Sequence, residues 1–543
     1  MAARLPAIAA AAALSMGCGA TAFAQQGPLS SNDWLTGKGA PPPPVSTWRP
    51  GDPLPGDAVG RRPKSPPVAQ SGAVESVGVS RLDGENPDSK GVVAAREAGL
   101  PVDLWGESEP ETLATLIQSA GRPVLPAMQT LLRRALLTQL DPPRGNGAPG
   151  ALFLARVDSL LSQGALQDAA QLLDAAGPAD AQRFRRQFDV AVLSGDESHA
   201  CDIIRKTPGV APDQAARIFC LALSGDWNAA ALTFRGAVAL GEITPPMDAL
   251  MARYLDDSYA DATDQIGPPQ ETPSPLVYRL HEAIGEPLAT ASLPLVFSAA
   301  DLRSNSGWKA QIEAAERLAR AGSLDPAQLR SIYSEQQPPA SGGVWDRAAA
   351  IQKLTGALQS SDSAAVDAAL PPAWDQMAAA GLSGALAAMA APELSGFPNL
   401  SGRAAQIALW IAAMEGQQPA NATPAPADDR DAFIAALARG DTSSTPAPAA
   451  DPQGVAAMLK TVFDAPAPAV DALSGPFAEL IAANRRGEAL LRAIPAVDAA
   501  TEGDLNRASA GLLALRALGQ EDPARRAAVQ IMLLGPRSGT DPG

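Results

Sequence analysis

Ser306-Gly307-Trp308-Lys309 sets a hydroxyl three residues ahead of an amine. On a helix that spacing stacks the two side chains one turn apart, where a neutral lysine amine could take the serine proton and ready the oxygen for acyl transfer. Such a site needs a Lys-Thr-Gly companion, and the chain has none. The span from Asp301 to Ala321 reads more simply as a helix start, with Ser306 as its cap and Ile312, Ala315, Glu316 and Ala319 on successive turns. No Gly-x-Ser-x-Gly nucleophile elbow, phosphate-binding glycine loop or Cys-x-x-Cys pair occurs. The chain has 2 histidines, His199 and His281, too few for a His-based metal site or a His-dependent triad. Both read as structural, His199 on a helix surface. No catalytic, cofactor-binding or metal-ligating residue is expected.

Sulfur chemistry depends on where the chain goes. Met1 to Gln26 has the order of an export leader: Arg4, an Ala-rich apolar stretch from Ala7 to about Met16, then Ala22-Phe23-Ala24. Cleavage is expected after Ala24, which places the mature chain in the periplasm. The apolar stretch falls short of the ~20 residues that span a bilayer. Cys18, behind Ser15-Met16-Gly17, leaves open a lipoprotein as the alternative. With the leader removed, Cys201 and Cys220 remain in a compartment that permits disulfides. A bridge between them is expected, two buried free thiols being the other reading. The best later candidate for a membrane span, Met377 to Ala391, is short and built of Ala and Gly, so no integral span is expected after cleavage.

A formal net charge of −16 repels phosphate backbones and anionic lipid, and no basic stripe carries interleaved aromatics. Nucleic acid is therefore not an expected partner. The acidity serves solubility.

The elements that must position these residues are helices. Only 4% of the chain is aromatic and alternating strand patterns are scarce, which disfavours a large sheet. From Gln25 to about residue 95 the prolines of Pro41 to Pro44 and of Pro50-Gly51-Asp52-Pro53-Leu54-Pro55 predict a disordered tether. Trp34 and Trp48 interrupt it as aromatics able to dock, either on a partner or on the chain's own helices. Regular helices begin near Ser108-Glu109-Pro110-Glu111, where a Ser with Glu three residues later suits a helix start. Leu113, Leu116 and Ile117 then form a stripe, and Gly121 is placed to end it. Breaks at Gly267 to Pro275, Gln417 to Asp429 and Thr442 to Gly454 suggest helical blocks over 96–260, 276–415 and 431–534, with a disordered tail over 535–543.

Between Leu152 and Gly241 three segments superpose on Gly164, Gly195 and Gly225, spaced 31 and 30 residues apart. An alanine follows each glycine by five residues (Ala169, Ala200, Ala230), and a larger apolar residue by nine (Leu173, Ile204, Phe234). Glycine permits a left-handed turn between two helices, alanine lets their axes approach, and the apolar residue faces the shared core. Fainter copies stand at Gly322 with Ala327 and at Gly519 with Ala524, and Asp325-Pro326 and Asp522-Pro523 mark their second helix starts.

The arrangement resembles the second half of a tetratricopeptide repeat, most closely at Gly225-Asp226-Trp227-Asn228-Ala229-Ala230 with Phe234 beyond. Val157, Phe188 and Ile218 stand where that family wants a small residue in the first helix, so the copies are degenerate. The resemblance implies an all-α chain, an α-solenoid of stacked helical hairpins, with Cys201 and Cys220 on adjacent hairpins. It implies a periplasmic scaffold without catalytic activity, binding a protein or peptide partner of the cell envelope. The alternative is a cell-wall-acting enzyme that uses Ser306 and Lys309 on a helical scaffold.

Overall fold

In a chain poor in aromatics and rich in alanine, helices bury their faces by close approach of their axes, and the turns between them must be tight. The computed structural model describes residues 86–535, apart from 178–179, 257–265, 304–305, 341, 418–425, 470–472 and 474. Cys18, Ala24, Trp34 and Trp48 lie outside the described residues.

The described residues are almost entirely helical. The first helices are α1 (Ala95–Ala98), α2 (Pro110–Ala120), α3 (Pro126–Leu137), α4 (Ala151–Ser162), α5 (Leu166–Ala175), α6 (Ala181–Ser194), α7 (Glu197–Lys206) and α8 (Gln214–Leu223). Next come α9 (Trp227–Ala239), α10 (Met247–Leu255), α11 (Pro275–Ala283), α12 (Ser298–Asp301), α13 (Trp308–Arg320), α14 (Pro326–Tyr333), α15 (Val344–Ser360) and α16 (Ser363–Ala379). The last are α17 (Ser383–Leu394), α18 (Gly402–Met414), α19 (Asp429–Arg439), α20 (Val455–Phe463), α21 (Pro476–Ala482), α22 (Arg486–Asp498), α23 (Leu505–Ala517) and α24 (Glu521–Leu534). Two residue-pairs form a short parallel ladder, β1 (Val93–Ala94) on β2 (Thr138–Gln139).

From α4 to α11 each helix packs on the next. Gly164, Gly195 and Gly225 sit in the turns α4–α5, α6–α7 and α8–α9 with φ of 76°, 81° and 85°, a region that side chains with a Cβ rarely enter. Ala169, Ala200 and Ala230 are wholly buried, as the close approach of axes requires. Cys201 on α7 and Cys220 on α8 stand at disulfide distance, 1.99 Å between sulfurs.

Two cores result. Phe184, Phe188, Ile204, Ile218, Met251 and Leu280 gather α6 to α11 around one. The other runs from Ala98 through α2–α5 and on through α13–α24 to Ile531. The residues of the first expected block thus fall in both large cores, with α6 contributing to each, and the start of α3 is completed by the far end of the chain. Leu125 caps α3 without a side-chain acceptor, and the Asp498 carboxylate, at the end of α22, accepts from Val124 N–H at 2.7 Å and Leu125 N–H at 3.0 Å. Gln530 Oε1 on α24 accepts from Ala127 N–H at 2.8 Å. Donors at one helix start are met by residues 373 to 403 positions later.

Several local expectations are corrected. The part of the expected tether that is described, residues 86–95, is packed: Asp88 is fully buried, its carboxylate accepting from Gly150 N–H and Phe153 N–H at the start of α4. No capping box opens α2, whose cap is Glu109; Pro110 has no N–H, and Glu111 instead accepts from Ala148 N–H at 2.9 Å. Gly307, not Ser306, caps α13, and Gln520, not Asp522, caps α24, which starts directly behind Gly519. Asp325 does cap α14, accepting from Ala327 N–H at 2.7 Å. The expected break at Thr442 to Gly454 is packed at its start: Thr442 is buried and its hydroxyl donates to Asp464 at 2.6 Å.

Asp189 on α6 carries a pH dependence. Burial first of all, then the carboxylates of Asp213 and Asp158, push its pKa from 3.8 to about 6 against the opposing pull of Arg185 and Arg186. Between about 4 and 6 the unfolded chain is ionised there while the folded chain holds the proton, so stability falls as pH rises through that window. Asp189→Asn removes the charged form. The variant is expected to be more stable than the parent at pH 7 by about 1–2 kcal/mol, and close to it at pH 4. Thermal melts at the two pH values check this.

Candidate functional site

Two concavities compete for a functional role. The larger, about 780 Å³, collects helix ends: the starts of α3, α5, α14 and α17 and the final turns of α13, α16 and α24. Its cations are Arg133, Arg320, Arg430 and Arg526. Each one is already engaged at a neighbouring helix end, three by donating to its last carbonyls and Arg133 in the turn behind α13. Arg320 Nε donates to Ala380 O at 2.7 Å, beyond α16, and Arg526 Nε to Met414 O at 3.1 Å, ending α18. Arg133 donates to Gly322 O, and Arg430 to Met532 O. Asp168 and Glu415 complete the walls as ion-pair partners of Arg133 and Arg526, each at 3.3 Å, and burial pushes both carboxyl groups up. Guanidinium on carbonyl at a helix C-terminus satisfies orphan acceptors and offsets the negative end of the dipole. These charges hold the fold.

The smaller, about 390 Å³, lies between α9 and α10, lined by Phe234, Arg235, Val238 and Ala239 on one side and Asp248, Ala249 and Ala252 on the other. It adjoins an unusual surface. Of the seven large apolar side chains left exposed among the described residues, five (Leu223, Trp227, Leu232, Val238 and Leu240) fall within one hairpin, α8–α9, the other two being Val92 and Val102. Leu232 is 75% and Leu240 77% exposed, values that nothing in the fold requires of them. Trp227 is half exposed and leans on Tyr254 of α10, ring centres 6.1 Å apart, and Tyr254 in turn meets Phe219 at 5.7 Å. The inner side of α9 is ordinary: Ala230 and Ala237 are buried. A helix apolar on its inner and outer sides has one face too many for a monomer.

The residues singled out for chemistry are not brought together. Lys309 is exposed and its ammonium lies 3.5 Å from Glu313 one turn on, an ordinary solvent-facing pair, while Ser306 precedes the helix. His199 lies exposed on α7. His281 on α11 is buried, and burial lowers its pKa, so the ring stays neutral at pH 7. No His, Cys, Asp and Glu group among the described residues could hold a metal ion, and no helix among them is long and apolar enough to cross a membrane. No protein-family model, curated protein or solved structure matches the chain.

Sequence reasoning missed the α9 surface. It placed Ala230 and Phe234 in register and did not weigh Leu232, Val238 and Leu240, which leave hardly any polar side on that helix. That surplus was the available signal.

Proposed function

We propose that this chain is an exported, non-catalytic helical scaffold of the cell envelope that docks a protein chain on the outer face of α9. In this reading α4–α9 are three degenerate hairpins of tetratricopeptide type, α10 and α11 close their stack, and the disulfide joins the second hairpin to the third. The carrying observation is the concentration of exposed apolar side chains on α8–α9, with Leu232 and Leu240 at their head. Large apolar side chains concentrated in solvent on one hairpin are a mark of surface that another macromolecule covers.

The test is capture from an envelope extract of cells that make the chain, using the immobilised full chain and its Leu232→Asp/Leu240→Asp variant. Because both leucines are solvent-facing, the variant should match the parent in helicity. The parent is expected to retain a protein chain that the variant loses, by tenfold or more in yield, since two buried leucines are worth about 3–6 kcal/mol of association. Equal retention by both, or none by either, overturns the reading.

A further inference from the structure

Gly236 lies in the middle of α9 with helical backbone, where glycine is less stable than alanine. Helical glycines at three other places in the fold are explained by what touches them, while Gly356 in α15 is, like Gly236, open to solvent. A side chain at Gly384 would strike Pro126, one at Gly487 would strike Trp105, and one at Gly511 would strike the backbone of α22. At Gly236 no atom of the chain lies within 4 Å of where a side chain would begin. The fold of one copy has no use for this glycine there.

Its neighbours give it one. Leu232 and Leu240 stand four residues before and four after, so the ridge reads Leu-Gly-Leu in both directions. Asn228, Leu232, Arg235, Gly236 and Ala239 share the side of α9 opposite buried Ala230 and Ala237, with Leu240 on its flank. A row of residues four apart that is symmetric about a glycine is complementary to itself when reversed. With two α9 helices antiparallel and a two-fold axis at Gly236, the two glycine backbones meet and Leu232 of each copy meets Leu240 of the other.

Charge agrees with the same axis. Arg235 on α9 makes no hydrogen bond or ion pair among the described residues, and the Asp248 carboxylate on α10 accepts only from its neighbour Ala249 N–H. Both line the α9–α10 groove. A two-fold that reverses α9 keeps both copies' α10 helices on one side, so that Arg235 of each faces Asp248 of the other. The face is thus neutral and reciprocally paired within a chain of net charge −16, whose wider surfaces repel their own kind.

We propose that the occupant of the α9 face is a second copy of this chain, in an isologous antiparallel pairing centred on Gly236. The proposal rests on the docking reading above and names its partner. The interface is narrow, so association falls in the micromolar range.

Sedimentation velocity of the full chain from about 1 to 100 μM tests it, the range following from that affinity. A reversible monomer–dimer equilibrium is expected. Gly236→Ala is the sharpest variant: it should raise the melting temperature of the monomer, because alanine is the better helix former, while weakening association at least tenfold. Leu232→Asp should leave only monomer. Arg235→Asp should weaken the dimer, and Arg235→Asp/Asp248→Arg should restore it. A dimer indifferent to all of these overturns the proposal, because it uses another surface. A monomer at every concentration that still captures a different protein through Leu232 overturns the second copy and leaves the docking face standing. A monomer that captures nothing overturns both.

Discussion

Arg156→Met destabilises the fold by about 3–5 kcal/mol, the range for removing one partner of a buried ionic network. Arg156, on α4, is fully buried and uses its whole guanidinium fork. Nε donates to Leu136 O at 2.7 Å and Nη2 to Thr138 O at 3.0 Å, closing the end of α3. Nη1 donates to Lys90 O at 2.7 Å and Asp88 O at 3.3 Å, fixing the segment ahead of β1. Burial lowers its pKa to about 10, against the pull of the Asp88 carboxylate, so it stays charged at pH 7. Methionine fills the volume and supplies no donor, leaving four carbonyls to find partners in a dry site. Arg156→Lys recovers little, since an ammonium cannot reach acceptors spread around a planar fork. Urea unfolding gives the magnitude. Hydrogen exchange locates it, with the Val92 N–H that donates to Leu137 O losing protection first.

Glu316→Ala costs a similar amount, about 3–5 kcal/mol, for a related reason. The side chain is buried on α13, and its two oxygens bind three other residues. Oε1 accepts from Tyr333 Oη at 2.9 Å and Arg347 Nε at 2.7 Å; Oε2 accepts from Arg347 Nη2 at 2.7 Å and Arg320 Nη2 at 3.3 Å. Through them α13 is tied to α14 and α15, and through Arg320 to the last carbonyls of α16. Losing the carboxylate leaves Arg347 a half-buried cation and Tyr333 a hydroxyl with only the Met377 sulfur nearby. Tyr333→Phe should cost only about 1 kcal/mol, because the arginines still hold Glu316. In a double-mutant cycle Glu316→Ala with Arg347→Ala should cost well under the sum of the singles, since the second change removes the charge stranded by the first. Additive losses would mean the pair is not coupled.

The sequence was informative where structure is local. Gly164, Gly195 and Gly225 with their following alanines were readable as turns and close helix contacts, because conformation and size act within a few residues. Asp325 was readable as a cap for the same reason. What escaped was carried by partners far along the chain. Nothing near Arg320, Arg526 or Arg156 announces that each will close a distant helix end, and nothing near Leu125 shows that Asp498 will cap α3. The packing of α3 on α24 escaped too, since the two lie at opposite ends of the described chain. The candidate site lay between these cases: the apolar surplus of α9 is visible in the sequence, but only the packing of Ala230 and Ala237 decides which side is left outside.

The docking claim for α9 is tested most directly inside cells making the full chain, with a photo-crosslinking amino acid placed at Leu232, at Leu240, and at exposed Asn506 on α23 as a control. Light should produce discrete protein adducts from positions 232 and 240 and none from 506. Absence of adducts at both leucine positions, or the same adducts at all three, would contradict the assignment of α9 as a protein-docking face.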